Sequence, residues 1–188
     1  MKKTIIIILS FLTSIVAYSQ DIATARNQGV GATVTITGIV TNGDELGPIR
    51  YIEDATAGLA LYDPTALISV MRGDEITVTG TLVDYNGLLE MNPVTSVSII
   101  SSANSISPQI ITPSQIGENT ESELIQIDNV IFNNGGSLFA STTYDFTSNG
   151  QTGKIYLRTG HSLIGSLIPM GTVTLIGVSS QYTFSIPA

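Results

Sequence analysis

The chain has 188 residues, no cysteine, and a formal net charge of −8 from 7 basic and 15 acidic residues. The missing cysteines exclude disulfides, thiolate metal sites, a lipid-modified N-terminal cysteine and cysteine nucleophiles. The acidic balance argues against tight binding to a phosphate backbone, which needs clustered Lys and Arg.

Residues 1–19 read as a secretory signal peptide. Lys2 and Lys3 form its positive end, Thr4 to Val16 its apolar core, and Ala17-Tyr18-Ser19 places small residues at the −3 and −1 positions of a cleavage site. The apolar run is too short for a membrane anchor, and no second run follows it. The expectation is an exported protein, periplasmic, cell-surface or secreted, with no membrane span after cleavage. The remaining basic residues are Arg26, Arg50, Arg72, Lys154 and Arg158. Without disulfides the mature chain rests on its core alone, and its length suffices for one or two small cores.

Asp21 is a good helix N-cap and opens one or two turns that end near Gly29. Strand one follows, about Thr33 to Thr41. Its phrase Val34-Thr35-Ile36-Thr37-Gly38 returns as Ile76-Thr77-Val78-Thr79-Gly80 in strand four. Apolar residues alternating with threonine mark a strand with one buried face, and the glycine marks a bulge or bend that curls a sheet. Asn42 to Pro48 is a loop. Strand two is Ile49 to Glu53, strand three Leu59 to Tyr62, and Asp63-Pro64 opens a short helical segment through Ile68. Strand four runs Glu75 to Asp84. Asn86-Gly87 is a hairpin signal, and strand five runs from Leu88 to about Ile100, broken by Pro93.

Five short strands with a helical insert between the third and fourth is the order of an OB-fold barrel. A polar stretch, residues 102–113, reads as a linker. The order then starts again: Glu123 to Phe132, Phe139 to Phe146 and Lys154 to Arg158 as strands, His161 to Ile168 as the insert, Gly171 to Val178 as strand four. Gly171, Gly177 and Tyr182 echo Gly73, Gly80 and Tyr85 at an offset of 97 or 98 residues. The expected fold is all-β, two tandem five-stranded OB-fold-like barrels, each with a short helical insert. Domain 1 spans 20–101 and domain 2 spans 114–188. In the second copy Asn129 stands where Gly38 stands in the first. That copy is either truncated at Ala188 or divergent, with Thr183 to Ile186 as a short fifth strand.

The phrases Thr35 to Thr41, Tyr51 to Tyr62, Gly73 to Gly80 and Tyr85 to Glu90 resemble the OB-fold domains at the N-termini of secreted bacterial endonucleases and nucleotidases, and the OB-like modules of Bacteroidetes surface proteins. The resemblance covers residues 22–100 well and 113–188 loosely. It implies a non-catalytic module attached to a larger protein through a covalently linked downstream domain.

OB-folds bind oligomers on the face of strands two and three, flanked by the first and last connecting loops. That region supplies Arg50, Tyr51, Tyr62 and Tyr85, and the second copy supplies Tyr156, Arg158 and Tyr182. Aromatic rings can stack on bases or sugars, and arginine can meet a phosphate or carboxylate. Packing within strands explains the tyrosines as well, and better. The ligand class stays open between oligonucleotide, glycan and protein. Asp44, Glu45, Glu53, Asp54 and Asp63 invite a calcium reading, but no D-x-[DN]-x-[DN]-G run is present, and Asp54 fits turn chemistry. His161, the single histidine, has no acidic neighbour in sequence, and Ser162 beside it makes no triad. No cofactor, metal site or catalytic group is expected. The reading is a non-catalytic exported binding or spacer module, with two alternatives: a nucleic-acid-binding accessory of a secreted nuclease, and a glycan or protein adhesion module.

Overall fold

The computed structural model describes residues 19–182. Residues 1–18 of the expected signal peptide, and the short strand expected at Thr183 to Ile186, lie outside the described residues.

Asp21 caps helix α1 (Ile22–Arg26) by accepting the Thr24 N–H at 2.7 Å. A helix this short does not hold by itself. It is kept by burying Ile22 and Ala25 completely against the first barrel. The barrel consists of β1 (Thr33–Val40), β2 (Ile49–Glu53), β3 (Gly58–Tyr62), β4 (Glu75–Tyr85) and β5 (Leu88–Ser101). It closes in the order β1-β2-β3-β5-β4, with β4 returning to β1, the OB-fold-like arrangement.

The repeated phrase pairs with itself across the β1–β4 ladder. Thr35 faces Thr79 and Thr37 faces Thr77, with hydroxyl contacts of 2.9 and 2.8 Å. The alternate residues Ile36, Ile76 and Val78 point inward and are fully buried with Ile52, Leu59 and Leu61. Gly80 sits at the bulge expected of it. The β4–β5 register shifts on both sides of it, and an added Cβ would lie 2.5 Å from the Pro93 carbonyl oxygen. Pro93 does not end β5. The ladder passes from Met91 to Val94 through that shift, because proline has no N–H to give it.

The helical insert of the first barrel is corrected. Residues 63–72 form a run of turns, not a helix. Leu67 N–H reaches the Asp63 carbonyl, but Ile68 and Val70 then bond three residues back, to Thr65 and Leu67. Leu67 and Val70 are buried in the barrel core, so the segment still plugs the barrel end. Residues 161–168 likewise form turns.

The second barrel is also corrected: the C-terminal half is an open five-stranded sheet. Its strands are β6 (Gln109–Ile110), β7 (Leu124–Phe132), β8 (Thr143–Ser148), β9 (Gln151–Tyr156) and β10 (Val173–Val178), with β10-β7-β8-β9 as neighbours. The antiparallel β7–β10 ladder repeats the β1–β4 ladder, as the echo of Gly73 to Gly80 implied. The fifth strand comes from the expected linker. β6 lies parallel to β7 instead of closing between β9 and β10. Asn129 sits in a β7 bulge opposite Thr174 with φ 56°, a left-handed geometry that asparagine tolerates. The core is aromatic: Phe132 meets Phe139 edge-on at 5.6 Å, and Phe139 meets Tyr144 at 5.2 Å.

Candidate functional site

Strands β2 and β3 are buried on both faces. Arg50 and Ile52, Leu59 and Leu61 lie on the barrel side, whereas Ile49, Tyr51 and Ala60 lie outside yet remain buried. What covers them is the second sheet. Val178 of β10 packs with Leu46 onto Ile49, Tyr51, Ala60 and Leu88. The face that OB-folds offer to oligomers is therefore an internal interface.

Polar contacts fix the interface around its apolar centre. Arg26 at the end of α1 donates to the Gly58 carbonyl at 2.9 Å. The same guanidinium lies 2.9 Å from Glu121, whose side chain is fully buried, and 3.3 Å from exposed Glu118. Gln181 donates to both of these carboxylates, at 2.8 Å to Glu121 and 2.7 Å to Glu118. The Glu121 oxygen nearest Arg26 has no well-aligned hydrogen bond, so that contact is Coulombic. From the first barrel, Glu53 accepts the Leu124 N–H at 3.0 Å. Gly58 lets its backbone touch the Ser122–Glu123 backbone directly.

The residues expected to bind ligand fall into three groups. Arg50 is buried at the barrel end and donates to the carbonyls of Gly47, Ile49 and Val70. Tyr51 is buried under β10, where it packs with Val178. Arg158 crosses from the second sheet to donate to the Leu46 carbonyl at 2.9 Å. Tyr85 and Tyr182 meet edge-on across the same junction, ring centres 6.3 Å apart, each about half exposed. Tyr62 stands at the end of β3, and Tyr156 is exposed on β9. The structure thus gathers Tyr51, Arg158, Tyr85 and Tyr182 at one junction and leaves Tyr156 on the outer strand.

Most of the acidic residues considered for calcium make local bonds. Asp54 accepts from Ile22, Thr56 and Ala57 N–H groups, and Asp63 from Thr65 and Ala66. Glu45 accepts the Gly43 N–H and lies 3.4 Å from Arg72. Among the described residues no group of three or more His, Asp or Glu is arranged to hold a metal. His Nδ1 of residue 161 accepts the Leu163 N–H at 3.1 Å, a turn contact.

Sequence reasoning gave no site role to Arg26, Gly58, Glu121 or Val178, and it weighed Glu53 only for calcium, not as the acceptor of the Leu124 N–H. A signal for the covered face was present: Gly58-Leu59-Ala60-Leu61-Tyr62 is an apolar run without polar alternation, the mark of a strand buried on both sides.

Burial lifts the carboxyls of Glu53, Glu90 and Glu123 above the usual glutamate range. The Leu124 N–H partly offsets the shift at Glu53, Asn92 does so at Glu90, and the neighbouring Glu53 charge adds to it at Glu123. Burial likewise pushes the Tyr51 hydroxyl up. Folding therefore favours the protonated glutamates. The stability they contribute is full below the unfolded value of 4.5 and is lost as pH rises through the raised folded values. Asp21 and Asp63, lowered by backbone N–H bonds, act with the opposite sign at lower pH. The denaturation midpoint is expected to decline as pH rises from just above 4.5 to neutrality, through the raised folded values. Urea titrations at both ends of that range check this, and a rise would contradict it.

No protein-family model matches the sequence, and no curated protein matches it. Among solved structures there is a likeness to the hypothetical protein ygiW from E. coli, at 12% identity and a TM-score of 0.38, covering 49% of this chain and 100% of that one.

Proposed function

We propose that the chain, read from its sequence as a binding or spacer module, is a non-catalytic, exported spacer module, the N-terminal part of a larger secreted or surface protein. The observation that carries this reading is the covered β2–β3 face. The surface on which OB-folds take oligomers holds Val178 of the same chain instead. A barrel that uses this face to fix a second sheet holds the two sheets in a set geometry. The buried Arg26–Glu121 pair and the Gly58–Ser122 backbone contact support that use.

A second reading, support of a secreted nuclease, draws on the half-exposed Tyr85–Tyr182 pair, since paired rings can stack on bases. The mature chain's charge opposes it, with five basic residues against fifteen acidic ones.

Labelled single-stranded DNA titrated into residues 20–188 at physiological salt separates the two. The spacer reading expects no saturable binding. Affinity within or beyond about 10⁻⁴–10⁻⁶ M at physiological salt would favour the second. Hydrolysis of DNA, nucleotides or glycans by the purified chain would overturn the non-catalytic reading.

A further inference from the structure

Residue 20 joins the first barrel through its backbone. The Gln20 N–H donates to the Thr35 carbonyl at 3.1 Å, and the residue forms a parallel bridge with Ile36. The β1–β2 ladder holds only Ile39 and Val40 of β1, which leaves an edge at Thr35 and Ile36 for residue 20 to take. Gln20 is half-buried there. Its side-chain oxygen Oε1 accepts from Nε2 of exposed Gln28 at 2.7 Å. Ser19 before it is exposed. Cleavage of the expected signal peptide after Ser19 makes Gln20 the first residue of the chain.

A glutamine at a free N-terminus can react with itself. Its α-nitrogen attacks its own side-chain carbonyl carbon Cδ and closes a five-membered lactam. The N–Cδ bond forms and the Cδ–Nε2 bond breaks. Nε2 takes the proton that the amine gives up and leaves as ammonia. The step is neither an oxidation nor a reduction, and it needs no co-reactant.

The site suits the product. The lactam nitrogen keeps a single N–H, the donor that Thr35 accepts. The lactam carbonyl keeps the former Oε1, the acceptor that Gln28 uses, and an exposed Gln28 side chain can follow its small shift. Nε2, the atom lost, takes part in neither bond. An unclosed terminus is mostly an ammonium at neutral pH. That sets a charge in a half-buried place against one neutral carbonyl, which costs more than a neutral, hydrogen-bonded amide.

We propose that Gln20 is a modification site: once the signal peptide is cut, it closes to pyroglutamate, and the lactam stays docked on β1 through the Thr35 carbonyl. This rests on the export reading. The closed end has lost its terminal charge and offers no α-amine to an aminopeptidase.

The full chain, expressed with its signal peptide in an exporting bacterium, tests it. Protein from the exported fraction is incubated warm, its primary amines are labelled so that none can close during handling, and the tryptic N-terminal peptide is read by mass spectrometry. Peptide 20–26, Gln-Asp-Ile-Ala-Thr-Ala-Arg, has no other side-chain amide, so a loss of ammonia there belongs to residue 20. The expected peptide is lighter by one ammonia and carries no label. Gln20→Ala, which cannot close, is expected to carry the label. A full-mass peptide labelled at Gln20 overturns the proposal and leaves the export reading standing. An uncut chain that still begins at Met1 overturns both. An unlabelled Gln20→Ala terminus overturns the proposal too, because the block would not come from the glutamine. In the folded protein the lactam N–H is expected to exchange about tenfold or more slowly than in the closed peptide 20–26. Equal rates would overturn the docking on β1.

Discussion

Arg26→Ala is expected to lower the stability of the chain by about 3–5 kcal/mol, the usual cost of breaking a buried ion pair from one side. The Arg26 side chain is 12% exposed and that of Glu121 is 0%. Removing the guanidinium leaves the Glu121 carboxylate buried, with Gln181 as its hydrogen-bond donor. It also frees the Gly58 carbonyl of its 2.9 Å bond. The cause is separable from lost packing. Glu121→Gln placed in the Arg26→Ala background removes the orphaned charge, so part of the loss should return. Urea denaturation of the wild type, both single variants and the double variant gives the coupling directly. An Arg26→Ala loss below about 1 kcal/mol, the range of surface pairs, would mean that the pair is solvated and does not hold the units together.

Gly58→Val is expected to separate the two sheets while the first barrel stays folded. A Cβ on Gly58 would meet the Ser122 carbonyl and lie 2.8 Å from the Glu123 nitrogen. Those are backbone atoms, so no rotamer change relieves the contact. Overpacking of this kind costs about 1–3 kcal/mol, occasionally more, and here it falls on the interface rather than on the barrel core. Gly58 pairs with Glu53 inside the β2–β3 ladder, where valine is well accommodated as a strand residue. Hydrogen exchange reads the outcome. Amides of residues 122–124 and 179 should lose protection, and those of β1 and β4 should keep it. Uniform loss of protection would mean that the barrel depends on the docked sheet.

Local chemistry made much of the first barrel legible in the sequence. Asn86-Gly87 takes φ 55° and 93°, the left-handed pair that a tight hairpin needs, and it fixed the β4–β5 turn. Asn149-Gly150 carries the same signal, with φ 49° and 79°, and joins β8 to β9. Passing over it displaced both strands: β8 begins at Thr143 instead of Phe139, and β9 ends at Tyr156 instead of Arg158. Phe139 looked like a strand residue because it is buried, but its N–H bonds the Ser166 carbonyl. Asp63 and Pro64 gave a valid helix start, yet burying Leu67 and Val70 in the barrel core kept the segment to turns. The candidate site was the least legible part. Tyr51 and Arg50 were located correctly on β2, but whether a strand's outer face meets solvent or another sheet depends on contacts more than a hundred residues away, such as Arg158 to Leu46.

The docking of the second sheet over β2 and β3 is tested most directly by nuclear Overhauser contacts in labelled residues 20–188. Cross-peaks are expected between the Val178 methyls and the Tyr51 ring, and between those methyls and Leu88 and Ala60, with one rotational correlation time for both sheets. Absence of those cross-peaks, with the two sheets tumbling independently, would contradict the account.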